Sequence, residues 1–153
     1  MDNRIKTTWV VVAHQAGARF MEHRSGHGRN LVLVRELPHP EGRLRNHEID
    51  TDGPGAIATG GHGNNMRAMQ REHSAHEHVV GKFAQSIASE LSQARNDGAF
   101  ESLILVAGPA LLGELRGALD KQTLNLVVHS VAKNLASEQP NEVAQHIAEV
   151  LPL

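Results

Sequence analysis

Ser102-Leu103-Ile104-Leu105-Val106-Ala107 is the stretch on which the fold turns. Its apolar run is unbroken, with none of the polar alternation of a strand that faces water on one side. It reads as a strand buried on both faces, the kind that parallel sheets use. Working outward, Gly108-Pro109 starts a helix through Leu119, with Leu111, Leu112, Leu115 and Leu119 on its buried side. Leu124-Asn125-Leu126-Val127-Val128-His129 reads as the next strand, and Gln139-Pro140 introduces a last helix from Asn141 to Val150. Upstream lies the longest helical pattern, Met66 to Arg95. Asn64 or Asn65 is placed to cap it, and Phe83, Ile87 and Leu91 recur at i+4 beside Ala84 and Ala88. Gly81 weakens its middle by about 1 kcal/mol relative to alanine.

The N-terminal part reads differently. Thr7-Thr8-Trp9-Val10-Val11-Val12-Ala13 is a β-branched and aromatic run, His14-Gln15-Ala16-Gly17 is a turn, and Ala18-Arg19-Phe20-Met21-Glu22 alternates. Ser25-Gly26-His27-Gly28 closes a hairpin onto Leu31-Val32-Leu33-Val34-Arg35-Glu36-Leu37. The order β-β-β, long loop, α-β-α-β-α implies one α/β domain: an antiparallel meander continued by crossovers into a mixed sheet with helices on its faces.

The 153 residues suit a single domain, 1–153. The absence of cysteine excludes a disulfide scaffold, a zinc ribbon, an iron–sulfur centre and a cysteine nucleophile. No apolar run approaches the ~20 residues of a membrane span, and Met1-Asp2-Asn3-Arg4 leads into no signal-peptide core, so a cytoplasmic location is expected. Trp9, Phe20, Phe83 and Phe100 are too few to form base-stacking platforms. The net charge of −2 argues against a general polyanion binder. It is unevenly spread, however: residues 1–80 carry 10 basic and 9 acidic side chains with 9 of the 11 histidines, and residues 81–153 carry 5 basic and 8 acidic ones. An anionic partner would meet the N-terminal half.

Between 38 and 65 the pattern is interrupted by prolines and glycines, and a long mobile loop is expected, with a short structured piece near 43–48. It ends in Thr59-Gly60-Gly61-His62-Gly63-Asn64-Asn65-Met66-Arg67, straight into the long helix. Glycines there let the backbone approach another molecule closely, and a helix start favours anions. Gly60, Gly61, His62, Gly63 and Asn64 therefore form the candidate binding loop, with His62 its reactive side chain. The stretch lacks the Gly-Lys-Ser/Thr of a P-loop, and a plain surface connector accounts for its composition equally well.

Gly60-Gly61-His62 ahead of a long helix bearing histidine and arginine resembles the middle domain of archaeal and eukaryotic peptide-chain release factors, where a Gly-Gly-Gln loop precedes a similar helix. The chain as a whole resembles the bacterial host-attachment protein family. The stretches that carry this are Trp9-Val10-Val11-Val12-Ala13, Gly17-Ala18-Arg19-Phe20, Asp52-Gly53-Pro54-Gly55, His76-Glu77, Phe83-Ala84, Leu103-Ile104-Leu105-Val106-Ala107 and Leu111-Leu112-Gly113-Glu114-Leu115-Arg116. No one of them is specific; their order is. The sequence departs from the pattern at His62, where release factors have glutamine, and at Ala56, where arginine is expected. The resemblance implies a release-factor-like fold with a Gly-Gly tip carried by a helix. It does not extend to the codon-reading domain of those factors.

Three functions follow as expectations. The first is a non-enzymatic module that docks on a ribosome or structured RNA, with Arg67, Arg71 and Lys82 on the long helix meeting phosphates. The second is a hydrolase of peptidyl-tRNA-type esters with His62 as catalytic base, which needs a polar group to fix the imidazole. The third is a factor acting directly in attachment to host cells. No cofactor is expected. Glu72, His73 and His76 share a helix face at i+3 and i+4 and form the one metal-binding alternative, with His62 as a further ligand, whereas His78 lies on the opposite side. Solvated histidines paired with Glu72 and Glu77 explain that cluster more simply. His14 and His129 read as core histidines at strand ends, and Asp50-Thr51-Asp52 as a solvated loop.

Overall fold

The two longest β-branched and aliphatic runs form adjacent central strands of a single sheet in the computed structural model. The structure describes residues 6–26, 28, 30–39 and 62–151, with side chains in the long helix from residue 78 onward. The strands are β1 Thr7–His14, β2 Gly17–Arg24, β3 Val32–Pro38, β4 Ser102–Ala107 and β5 Val127–Ala132. The helices are α1 His62–Asn96, α2 Pro109–Ala118, the single turn α3 Lys121–Leu124, and α4 Pro140–His146. Strand order is β3-β2-β1-β4-β5. β1 pairs antiparallel with β2 and β2 with β3, while β1–β4 and β4–β5 are parallel. The expected mixed sheet of an α/β domain is thus the observed one.

Alternation across the pleat explains why β1 from Trp9 to Ala13 and β4 from Leu103 to Ala107 are apolar at every position. Trp9, Val11 and Ala13 of β1, with Leu103, Leu105 and Ala107 of β4, face one core with Phe83, Ile87 and Leu91 of α1 and Leu115 of α2. Val10, Val12, Ile104 and Val106 face the other core, closed by Leu135, Val143 and Ile147 from β5 onward. Both strands are covered on both sides, so neither has a face left for polar residues.

Three boundaries differ from expectation. α1 starts at His62, so Asn64 and Asn65 lie within its first turn and do not cap it. A helix with more than thirty residues behind it tolerates Gly63, whose cost is only about 1 kcal/mol. β5 runs from 127 to 132 and not from 124 to 129, because the Asp120 carboxylate accepts from the Thr123 backbone N–H at 2.7 Å and winds Leu124 into α3. α4 ends at His146, four residues short of Val150, where Ile147 leaves helical geometry (φ −112°, ψ 20°). The mobile stretch and its structured piece fall largely on residues 40–61, outside those described.

α1 positions the candidate site. Its 35 residues span about 52 Å, against about 26 Å for an eight-residue strand. Its C-terminal end turns through Gly98 (φ 72°) into the start of β4, so the helix runs antiparallel to β1 and β4. Its first residue therefore points past their carboxyl ends. Its described core residues are Val79, Phe83, Ala84, Ile87, Ala88 and Leu91.

Candidate functional site

Gly60 and Gly61, the first two residues of the expected binding loop, lie outside the described residues. His62, Gly63 and Asn64 are the first three residues of α1, and Arg67, Arg71, Glu72, His73 and His76 follow in the same helix. The side chains of all of these are outside those described. Lys82 is exposed on α1, and His78 is exposed one turn before it. Among the described residues, no group of three or more histidine, cysteine, aspartate or glutamate side chains is placed to hold a metal ion.

Beside the middle of α1, a histidine that the sequence did not single out is fixed in place. His39 follows directly on β3, and its backbone N–H donates to the Ala16 carbonyl at 3.0 Å. Its ring lies on Phe83 of α1, with centroids 4.0 Å apart and planes 1° from parallel. Its Nδ1 stands 2.7 Å from the Gln15 carbonyl oxygen, which makes Nδ1 the donor. The ring borders an apolar cavity of about 70 Å³ walled by Val79, Val80 and Phe83 of α1 and by Ala110 and Leu111 of α2. No spacing or motif marks His39 in advance: it sits between Pro38 and Pro40, where regular patterning stops.

The other histidines read from strand positions divide. His14, half-buried at the end of β1, accepts from the Ala16 backbone N–H on Nδ1 at 3.2 Å, as a partly satisfied histidine should. His129 is exposed in the middle of β5, an edge strand of the sheet, so it is not a core histidine. His23, fully buried on β2, is held by its Nε2 against the Gly28 carbonyl at 2.6 Å. That contact ties β2 to the turn leading toward β3, with Gly28 in the left-handed region (φ 71°).

At the far end of α1, charge and hydroxyl groups lock the helix to α3. Ser92 Oγ donates to Asp120 Oδ2 at 3.0 Å, Arg95 Nε donates to Thr123 Oγ1 at 3.2 Å, and Arg95 lies 3.8 Å from Asp120. Hydrogen bonds from the Thr123 side chain and backbone, then from Ser92, and the nearby Arg95 charge hold the Asp120 carboxyl below its ordinary value of 3.8. On the sheet edge, Arg35 of β3 reaches Glu90 of α1 at 2.9 Å. The base of the long helix is thereby tied to the sheet on one side and to α3 on the other.

No described helix is long and apolar enough to cross a membrane. Among solved structures, an archaeal translation termination factor is similar over 95% of this chain and 35% of its own, at 14% identity and a TM-score of 0.48. A structure described only as an archaeal protein is similar over 94% of this chain and 36% of its own, at 14% identity and a TM-score of 0.42. The chain thus spans about a third of each of those proteins. No curated protein sequence matches at a significant level. Residues 9–147 match the family described as "Protein required for attachment to host cells". With nearly the whole chain inside that match, from Trp9 of β1 to Ile147 behind α4, it belongs to the family of proteins required for attachment to host cells.

Proposed function

We propose that this protein is a non-enzymatic binding module that docks on a ribosome or structured RNA. It does so through Gly60, Gly61, His62, Gly63 and Asn64, with Arg67, Arg71 and Lys82 engaging phosphates. The observation that carries this reading is the length of α1, about 52 Å and roughly twice that of β1, with His62 as its first residue. Helical periodicity also gathers positions 67, 71 and 82 within a sector of about 60°. A basic stripe on a long helix suits a phosphate backbone, whose attraction weakens as salt rises. Hydrolysis by His62 would need a polar group that fixes the imidazole, and the sequence marks none.

Ribosome co-sedimentation from growing and starved cells, at low and moderate salt, tests the reading. The protein is expected in ribosomal fractions at low salt, and Arg67→Glu with Arg71→Glu removes it. Absence from those fractions under every condition refutes the proposal. The family description supports a second reading, direct action in attachment to host cells. Cell fractionation separates the two, since a direct factor must reach the cell surface.

A further inference from the structure

At the carboxyl end of β1 a groove of about 500 Å³ opens between the turn into β2, the end of β3 and the segment leading into α4. That volume is in the range of small-molecule sites, and ligands of open α/β sheets sit outside the carboxyl ends of the strands. Its floor carries Arg19 of β2. The two terminal nitrogens of Arg19 donate to the carbonyls of Glu138 at 2.7 Å and Leu135 at 2.9 Å, which fixes the guanidinium across the groove. Nε is enclosed and has no hydrogen-bond partner. Among the described residues no carboxylate lies within ion-pairing distance of Arg19. Carbonyl dipoles stabilise the cation, and the Glu138 carboxylate acts on it at longer range.

The walls carry the opposite sign. Glu36 of β3 stands directly across the ladder from Arg19, is exposed, and makes no ion pair among the described residues. Glu138 lines the other side. A hydrogen bond with Glu142, burial and the repulsion of that second carboxylate raise the Glu138 carboxyl above its ordinary value, against the lowering pull of His146 and Arg19. At Gly17 the wall is bare backbone, and a Cβ there would stand 3.0 Å from the Leu37 carbonyl oxygen.

We propose that this groove binds small zwitterions of the α-amino-acid class, with the ligand carboxylate on Arg19 and its ammonium between Glu36 and Glu138. An anion alone would meet the two wall carboxylates, and a cation alone would meet the guanidinium. A ligand carrying both charges a few ångströms apart satisfies floor and walls together. Because the groove is open, the ligand side chain extends outward, and recognition centres on the charged pair. This proposal is independent of the ribosome reading.

Calorimetric titration of the full chain with glycine, leucine and arginine tests it, alongside the N-acetyl and carboxamide derivatives of leucine. Saturable binding of the free amino acids is expected, with a loss of about tenfold or more for either blocked form. Glu36→Gln, at an exposed position, is expected to weaken leucine about tenfold while leaving the melting temperature unchanged. Arg19→Lys tests the carboxylate arm; where it loosens the segment before α4, Glu36→Gln carries the result. Absence of saturable binding overturns the proposal, as does equal affinity for the blocked forms or indifference to Glu36→Gln.

Discussion

His39 and Phe83 lie face to face, 4.0 Å between ring centroids and 1° from parallel, and so join the end of β3 to the middle of α1. The pair is further secured by the Gln15 carbonyl on His39 Nδ1. His39→Ala removes the stacking and the hydrogen bond. It is expected to lower unfolding stability by about 1–2 kcal/mol in urea titration at neutral pH. Phe83→Ala, which empties a buried ring site, is expected to cost about 3–5 kcal/mol.

Gly81 offers a gain. Among the described residues, a Cβ at that position would meet Glu114 Oε2, at 3.8 Å, an ordinary contact. Gly81→Ala is therefore expected to stabilise the protein by up to about 1 kcal/mol, read as a higher urea midpoint with an unchanged slope.

Asp120 sets a pH dependence whose sign follows from its lowered carboxyl. The folded state holds its proton less tightly than the unfolded chain, so the stabilisation is present above the ordinary value of 3.8 and is lost as pH falls through the folded value. Asp120→Asn keeps a capping side chain but removes the charge. The gap in melting temperature between wild type and this variant is expected to be widest near neutrality and to close in acid below 3.8.

Leu105 stands at the centre of β4 with no exposed surface, between α1 and α2. Leu105→Ala is expected to cost about 2–5 kcal/mol, the transfer term plus the cavity left behind. Against a total of about 5–15 kcal/mol for a domain, that is enough to leave a substantial unfolded fraction at elevated temperature, visible by circular dichroism.

The sheet was legible because its strands differ in kind. The unbroken apolar runs of β1 and β4 pointed to two-sided burial, and the alternation in β2 to a meander. β5 was misplaced because Leu124 and Leu126 look like strand residues, whereas the Asp120 cap commits the chain to a turn first. The start of α1 was set too late because Gly63 and two asparagines look like a terminus, although a long helix carries such residues at its first turn. His39 stayed invisible. Its role arises from a carbonyl at Gln15 and a ring at Phe83, contacts that only the folded chain brings together.

The length of α1 makes its seating at Val79, Phe83 and Ile87 a fulcrum. A tilt of ten degrees at that seat swings the first residue sideways by about 4–5 Å, given an arm of roughly 26 Å. Small repacking beneath Phe83 is thus magnified at His62. Substitutions in the interior can redirect the first residue of the helix from a distance.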